Sequence, residues 1–240
     1  MKARYDAIYR DIRESIENGT YPYQRFLPSE AELTATYGCS HNTLRRALGL
    51  LRDQGYVQPV HGKGVRVIYQ EPERTTFTVG GIESFHEAEE RIRLDAQTEV
   101  IALEQIMATP EISFRTGFEE GTELTSIVRV RRIGGEALIL DVNLFRTTSV
   151  PGITEEVARG SIYEYAEKDL GVSIAMSKRA ITVERATTRD RKLLDLGDID
   201  YLAVITSQTF DAQGILIECT QSRHRPDHFC FRDTAVRHRV

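Results

Sequence analysis

The chain has 240 residues, of which 40% are hydrophobic and 28% are charged, and its formal net charge is −5. This composition is typical of a globular protein, and the length fits one large domain or two smaller ones. The sequence lacks a run of about 18 apolar residues and an apolar signal segment, so we expect a cytoplasmic protein with no membrane partner. Its three cysteines form no C-x-x-C pair and show no zinc-ligand spacing, so we expect neither a disulfide framework nor a metal site.

The charge is distributed unevenly along the chain. Residues 1–68 carry ten lysines and arginines against seven aspartates and glutamates, a net charge of +3. The remaining residues carry 21 against 29, a net charge of −8. A basic segment on an acidic protein is typical of a nucleic-acid-binding module joined to another domain. An excess of three charges also arises by chance, so charge alone does not show that this segment binds nucleic acid, and the pattern of residues is needed.

The N-terminal segment predicts three helices. Apolar residues at helical spacing from Tyr5 onward mark a first helix, which Gly19 ends. Ser29 and Glu32 form a capping-box pattern that starts a second helix. Ser40 is placed to cap a third helix. The stripe that this third helix is expected to bury consists of Leu44, Ala47, Leu48 and Leu51.

Two short strands follow, at 56–60 and 65–68, joined by a glycine-rich tip. Three helices and a hairpin predict a winged helix-turn-helix, whose third helix enters the major groove of DNA. Arginine pairs with guanine, asparagine pairs with adenine, and a basic hairpin tip suits phosphate or minor-groove contact. The predicted DNA-facing residues are His41, Asn42, Arg45, Arg46 and Lys63. The alternative for the two arginines is a solvated helix face.

This segment resembles the winged helix-turn-helix of the GntR family of bacterial regulators. The resemblance lies in Leu-Pro-Ser-Glu-Ala-Glu-Leu at 27–33, in Thr-Leu-Arg at 43–45 and in His-Gly-Lys-Gly at 61–64. It implies a transcriptional regulator that binds double-stranded operator DNA. The matching residues that the family uses for DNA contact are Thr43, Arg45, His61 and Gly62. The family commonly has arginine where this chain has Ala31 and His41, which leaves the half-site sequence open.

A polar stretch at 71–76 predicts a linker between a DNA-binding domain at 1–70 and a second domain at 77–240. Strands are predicted in the second domain at 100–106, 124–133, 137–145, 180–185, 201–211 and 215–220. Helices are predicted at 84–94, 153–159, 162–169 and 189–194. Glycine-containing hairpin signals join several strands, so we expect an antiparallel sheet with helices, an α+β fold.

The second domain contains a candidate anion site. Ser84 follows a glycine pair at the start of a predicted helix, and Ser161 opens another, where exposed amides and the helix dipole favour an anion. Arg129 and Arg131 alternate along one strand and therefore project from the same face, as a phosphate clamp requires. Asp141 is placed to accept hydrogen bonds from sugar hydroxyls. The alternative is that these residues are ordinary caps and surface charges.

The case for catalysis is weak. A nucleophile needs a neighbouring base and a group that orients it, and the sequence offers only scattered candidates at His86, Cys219 and His224. The paired acids at 119–120 lie between glycines and are better explained as a solvated turn. We therefore expect no catalytic residue, no cofactor and no enzyme activity, with a lyase-like enzyme as the minority alternative.

Residues from about 77 onward resemble the UTRA effector domain of the HutC-type branch of the GntR family, which has a chorismate-lyase-like fold. Stretches at 81–85, 135–141, 160–165, 190–196 and 218–227 are similar to trehalose-responsive repressors of this branch. The resemblance implies a homodimer on a palindromic operator, released by trehalose 6-phosphate. N-acetylglucosamine 6-phosphate is the alternative effector.

The same resemblance assigns residues to the effector. It implies that the phosphate and its surroundings are held by Ser84, Arg129, Arg131, Ser161 and Tyr163. It places Asp141 and Glu218 on sugar hydroxyls. Arg223, His224 and Arg225 lie in a matching motif, and which of them faces the pocket is left open.

Overall fold

The computed structural model describes residues 4–70 and 96–231. These residues divide into two compact units, one at 4–70 and the other at 96–231. The predicted linker at 71–76 and the predicted helix at 84–94, with Ser84, lie outside the described residues. No helix in the described ranges is long and apolar enough to cross a membrane.

The N-terminal unit is a three-helix cluster with a hairpin, as predicted. Its elements are α1 (Arg4–Glu17), α2 (Glu30–Tyr37), α3 (His41–Asp53), β1 (Val57–Val60) and β2 (Gly64–Val67). The predicted capping box at the start of α2 is confirmed, because the Ser29 hydroxyl accepts from the Glu32 amide and the Glu32 carboxylate accepts from Ser29. Gly38 then adopts a left-handed conformation with φ of 54°, which lets the chain turn sharply into α3.

Helix α3 is held by the stripe that the sequence predicts. Ser40 caps its first turn by accepting from the Thr43 amide. The predicted residues Leu44, Ala47, Leu48 and Leu51 are buried and pack against the inner faces of α1 and α2, which contribute Ile8, Ile12, Ile16 and Leu33. Because one face of α3 is fixed in this core, its opposite face is left toward solvent.

The C-terminal unit is built on a six-stranded antiparallel sheet with the order β3-β4-β5-β8-β7-β6. The strands are β3 (Ala96–Met107), β4 (Glu123–Ile133), β5 (Glu136–Arg146), β6 (Ile174–Arg185), β7 (Tyr201–Asp211) and β8 (Leu216–His224). The helices are α4 (Pro110–Thr116), α5 (Glu155–Arg159), α6 (Ile162–Lys168) and α7 (Thr188–Leu193), and a 3₁₀ turn spans Pro226–His228. The predicted α+β class is therefore confirmed.

Three predicted strand boundaries in this unit need correction, and one helix was missed. β3 already includes Ala96, ahead of the predicted start at residue 100. β6 begins at Ile174, not at residue 180, because it pairs with the whole of β7. β8 continues to His224, beyond residue 220, because β5 and β7 both pair with its last residues. Helix α4 was not predicted, although Thr109 caps it and Pro110 occupies its first turn, which are ordinary helix-start signals.

The two faces of the sheet bury different cores. Helices α5 and α6 cover one face, which we call the inner face, through Ile127, Phe145, Ala158, Ile162 and Ala166. The opposite face is covered by α7 and the residues after it, through Val130, Leu140, Leu194, Leu196 and Leu202. Side chains alternate between the faces along each strand, so the register decides which polar groups lie beneath α5 and α6.

Asp190 on α7 forms a buried ion pair with Arg223 of β8. Its two carboxylate oxygens accept from Arg223 Nε at 3.0 and 3.1 Å, and one of them also accepts from the Thr187 amide at 2.7 Å. Both partners of the ion pair are buried. The pair fixes α7 against the strand that carries Glu218 and His224.

We expect Asp190→Ala to lower the free energy of unfolding by about 3 kcal/mol, because it leaves a buried guanidinium with only part of its charge compensated. Urea unfolding of the whole chain, followed by circular dichroism, measures this loss. The matched control is Asp200→Ala, which removes the exposed partner of Arg191 and should cost less than about 1 kcal/mol. Equal losses in the two variants would contradict the assigned role of Asp190.

Candidate functional site

The exposed face of α3 carries four of the residues that the sequence predicts for DNA contact. His41, Asn42, Arg45 and Arg46 are all exposed. Arg45 Nε donates to Glu30 Oε2 at 3.1 Å, and His41 Nδ1 lies 3.7 Å from the same oxygen. The Arg46 guanidinium lies 3.9 Å from the centre of the Tyr5 ring of α1. Arg46 is therefore held against α1, whereas Arg45 and His41 share an acidic partner on α2.

The hairpin tip presents the predicted wing residues to solvent. His61, Gly62 and Lys63 are exposed in the turn between β1 and β2. Gly62 has φ of 71°, and a Cβ built on it would meet no atom within 4 Å. The tip therefore offers backbone that a phosphate can approach closely. Thr43 is half-buried in the first turn of α3, where its hydroxyl lies 2.8 Å from that of Ser40.

Arg129 and Arg131 lie on the inner face of the sheet and are buried, with 6% and 3% of their surface exposed. The alternative that they are ordinary surface charges is therefore wrong. The register pairs Arg129 with Asp141, and Asp141 with Ser222, so all three side chains share this face. Arg129 and Ser222 are 93 positions apart in the sequence, and the strand register brings them to the same face of the sheet.

Arg131 begins one chain of polar contacts across the inner face. Its Nε donates to Asp141 Oδ2 at 3.0 Å, and its Nη1 donates to Thr98 of β3. The Ser222 hydroxyl donates to the other oxygen of Asp141 and lies 2.9 Å from His224 Nε2. Because a hydroxyl has one hydrogen, Ser222 accepts from His224 Nε2. Asp141 therefore compensates the charge of Arg131 at close range.

Arg129 begins a second chain, and its direct partners are neutral. Its Nη2 donates to Asn143 Oδ1 at 2.9 Å, and its Nη1 donates to the Ala158 carbonyl at the end of α5 at 3.1 Å. Asn143 in turn donates to Glu218 Oε1 at 3.0 Å, and the Tyr163 hydroxyl donates to Glu218 Oε2 at 2.5 Å. The buried Arg129 Nε has no hydrogen-bond partner among the described residues.

Burial and neighbouring charges shift the pKa values of this cluster. Burial, reinforced by Arg131, lowers the pKa of Arg129 to about 9. Burial opposes ionisation of Asp141, but the two arginines outweigh it and hold the pKa of Asp141 below its usual value. Burial beside Glu218 raises the pKa of Tyr163 well above its usual value. The charge of Arg129 is therefore only partly compensated by the protein.

Ser161 caps α6 and accepts from the Glu164 amide at 3.1 Å, so the prediction that it opens a helix is confirmed. The turn between α5 and α6 joins this serine to the Ala158 carbonyl that Arg129 contacts. Six of the seven residues predicted for the effector lie in the described part of the chain: Arg129, Arg131, Asp141, Ser161, Tyr163 and Glu218. Arg131 contacts Asp141 directly. Arg129 reaches Glu218 through Asn143, and Tyr163 contacts Glu218 directly.

Sequence reasoning missed three residues of the cluster. Asn143 joins Arg129 to Glu218. Ser222 joins Asp141 to His224, and Thr98 accepts from Arg131. The signal for Asn143 was available, because it follows Asp141 by two positions on a strand and therefore shares its face. Ser222 needed the longer β8 that the structure shows.

The motif at 223–225 is resolved by the same register. His224 lies on the inner face beside Ser222, whereas Arg223 projects from the opposite face toward Asp190 and Glu184. Arg225 follows the strand and donates to Glu136, Asp227 and the Asp195 carbonyl. Of the three, His224 is thus the one in the polar cluster.

The scattered candidates for catalysis do not come together in the described residues. Cys219 lies on the face opposite His224, where it lines a cavity of about 280 Å³ beneath α4, and burial raises the pKa of its thiol to about 11. The acids at 119–120 are exposed and adjoin a turn, as the sequence suggests. His86 lies outside the described residues. Within those residues, no group of three histidine, cysteine or acidic side chains is placed to hold a metal ion.

Comparison with known proteins identifies both units. Residues 4–67 match the gntR family of bacterial regulatory proteins, and residues 92–230 match the UTRA domain. The chain is 38% identical over 236 residues to the HTH-type transcriptional regulator TreR of Bacillus subtilis, covering 98% of each chain. It is 24% identical over 227 residues to the transcriptional repressor NagR of the same species, covering 95% of this chain and 92% of NagR.

Solved structures agree with this assignment. The effector-binding domain of the trehalose repressor TreR of Bacillus subtilis is 35% identical, with a TM-score of 0.55, and covers 60% of this chain and 99% of its own. The possible transcriptional regulator YydK of Bacillus subtilis has a TM-score of 0.83 and covers 98% of this chain and 100% of its own, but at 20% identity it supports the fold alone. The chain therefore belongs to the GntR family of bacterial transcriptional regulators and carries a UTRA domain.

Proposed function

We propose that this regulator is a repressor of a trehalose utilisation operon and that trehalose 6-phosphate releases it from its operator. The observation that carries the effector proposal is Arg129, a buried guanidinium whose direct partners are neutral. Burying a charge is unfavourable unless an opposite charge compensates it. A phosphate dianion beneath α5 and α6 would supply that charge and accept from the Nε that lacks a partner.

The remaining cluster suits a sugar. Asp141 and Glu218 are carboxylates with several acceptor positions each, and Tyr163, Asn143 and Ser222 supply hydroxyl and amide groups on the same face. Ser84 is assigned to the phosphate by resemblance alone. The 35% identity to the effector-binding domain of a trehalose repressor supports an effector that contains trehalose over other sugars. N-acetylglucosamine 6-phosphate remains the alternative effector.

The DNA-binding unit supports the second half of the proposal. We assign DNA binding to 1–70, a linker to 71–76 and effector binding to 77–240, in a cytoplasmic homodimer. Each subunit would place α3 in one half-site of a palindromic operator, with the wing on the adjacent backbone. The effector acts only if it binds the DNA-competent and DNA-incompetent arrangements unequally, and a coupling of about 1–3 kcal/mol is typical. No observation favours a lyase-like enzyme.

We expect trehalose 6-phosphate to raise the thermal unfolding midpoint of the chain, because ligand at about 100 times its Kd stabilises the native state by about 2.7 kcal/mol. Differential scanning fluorimetry with trehalose, glucose 6-phosphate and N-acetylglucosamine 6-phosphate tests the selectivity. Arg129→Met should lose the response while keeping at least the stability of the unliganded parent, because it removes a buried charge that the protein compensates only in part. Arg132→Met is the matched control on the same strand, since Arg132 is partly exposed and pairs with Glu99. A normal response of Arg129→Met would refute the phosphate site.

We expect Arg45→Ala to weaken binding to an operator selected from random duplex DNA by about 5–150-fold, because a bidentate arginine–guanine pair contributes about 1–3 kcal/mol. Binding is measured by fluorescence anisotropy at fixed salt. Arg52→Ala, at the other end of α3, is the matched control, since Arg52 is exposed and bonds to Asp53. Unchanged operator affinity in Arg45→Ala would exclude the proposed reading face.

His224 gives the effector domain a pH dependence. Burial lowers its pKa to about 4, and the opposing effect of Asp141 does not restore the usual value. Between pH 6.5 and 4 the unfolded chain therefore binds a proton at this residue that the native state excludes, so stability falls as the pH falls. We expect a loss of about 2 kcal/mol from this residue between pH 7 and pH 5. Urea unfolding at the two pH values measures this change in the free energy of unfolding. The change should be smaller in His224→Gln and should be kept in His228→Gln, since His228 is exposed.

A further inference from the structure

Glu30 is an acidic residue inside the predicted DNA-reading surface. It is the first residue of α2, and its side chain reaches the first two turns of α3. One carboxylate oxygen accepts from Arg45 Nε at 3.1 Å and lies 3.7 Å from His41 Nδ1. His41 and Arg45 are four residues apart and therefore neighbours on one face of α3. A carboxylate at this place repels DNA phosphates, so its presence calls for an explanation.

Stability does not supply that explanation. The Arg45 side chain is 67% exposed and that of Glu30 is 37% exposed, and ion pairs of this kind contribute little to folding. An acid in the first turn of a helix is favoured by the dipole, which accounts for the residue type but not for its reach to α3. The contact with Glu30 instead orients the guanidinium of Arg45 by holding its Nε, on a side chain that is otherwise flexible.

The geometry of the contact selects how Arg45 can read a base. Within the described residues, Nε is the only side-chain nitrogen of Arg45 that donates a hydrogen bond. The two terminal nitrogens Nη1 and Nη2 remain available as a parallel pair of donors. The major-groove edge of guanine presents two acceptors, N7 and O6, that accept such a pair. Arg45 is thus held for end-on contact with guanine.

We propose that Glu30 is a positioning and specificity-determining residue, which holds Arg45 for end-on recognition of one guanine in each half-site. This inference rests on the proposed DNA-binding function. Ordering the arginine before binding reduces the conformational entropy that recognition costs. The carboxylate also partly neutralises Arg45, which weakens its attraction to phosphates at non-specific sites and so increases discrimination.

The test uses the whole chain and an operator that it selects from random duplex DNA. Each guanine of the half-site is replaced in turn by 7-deazaguanine, which lacks the N7 acceptor. For the unsubstituted chain we expect one position per half-site at which this replacement weakens binding by about tenfold. Glu30→Ala should reduce that penalty to about twofold or less and lower the ratio of operator to non-specific affinity, because the ordering of Arg45 is lost.

Glu30→Gln separates position from charge. Glutamine keeps an oxygen that accepts from Arg45 Nε but carries no charge, so the 7-deazaguanine penalty should be kept while non-specific binding strengthens. Glu14→Gln, an exposed acid on α1, controls for the change in net charge. Circular dichroism should show that all variants fold, with only a small fall in the unfolding midpoint of the Glu30 variants from the loss of the favourable helix-dipole interaction.

The possible outcomes are distinct. A penalty lost in Glu30→Ala and kept in Glu30→Gln supports the positioning role. A penalty kept in Glu30→Ala, or lost equally in both variants, overturns it. If the unsubstituted chain selects no sequence at all, the proposed DNA-binding function fails, and the inference about Glu30 fails with it.

Discussion

The effector domain depends on a buried arginine whose charge the protein compensates only in part. Arg131 has Asp141 at 3.0 Å, but Arg129, two residues earlier on the same strand, has an amide and a carbonyl as its direct partners. Such an arrangement lowers the stability of the unliganded domain, and an anion that compensates the charge regains that free energy. In the proposed function, the same feature that weakens the empty domain would give a phosphorylated ligand its advantage over an unphosphorylated one.

The contacts of Arg129 also connect the site to the rest of the unit. One of its nitrogens donates to the last turn of α5, next to the Ser161 cap of α6, and another reaches Glu218 of β8 through Asn143. β8 is in turn fixed to α7 by the buried pair between Arg223 and Asp190. An anion that draws on the hydrogen bonds of Arg129 competes with the α5 carbonyl. In the proposed function, effector binding would thereby change the position of a helix end, which is the differential contact that a switch between two arrangements requires.

The N-terminal unit could be predicted closely from the sequence because its signals are local. A capping box, a left-handed glycine, a second serine cap and one buried stripe specify α2, the turn and α3 within 25 residues. The polar cluster could be predicted only in part. Alternation along β4 places two arginines on one face of the sheet, but it does not show which residues of the neighbouring strands they contact. Ser222 and Thr98 enter through pairings between distant strands, and no local pattern specifies those registers. For the same reason the contact between Glu30 and Arg45 could not be predicted, because it depends on how α2 packs against α3.

The two units use arginine in opposite ways. On α3, Arg45 is exposed and paired with a carboxylate, so its attraction to any phosphate is reduced. In the proposed function, its hydrogen bonds to a base edge would then contribute a larger share of the binding free energy. On β4, Arg129 is buried among neutral partners, so its attraction to an anion is strengthened by the low dielectric around it. Every DNA sequence carries phosphates, so discrimination between operator and non-specific DNA is favoured when the charge of Arg45 is partly neutralised. The proposed effector carries one phosphate, and its binding is favoured because the protein compensates the charge of Arg129 only in part before the ligand binds.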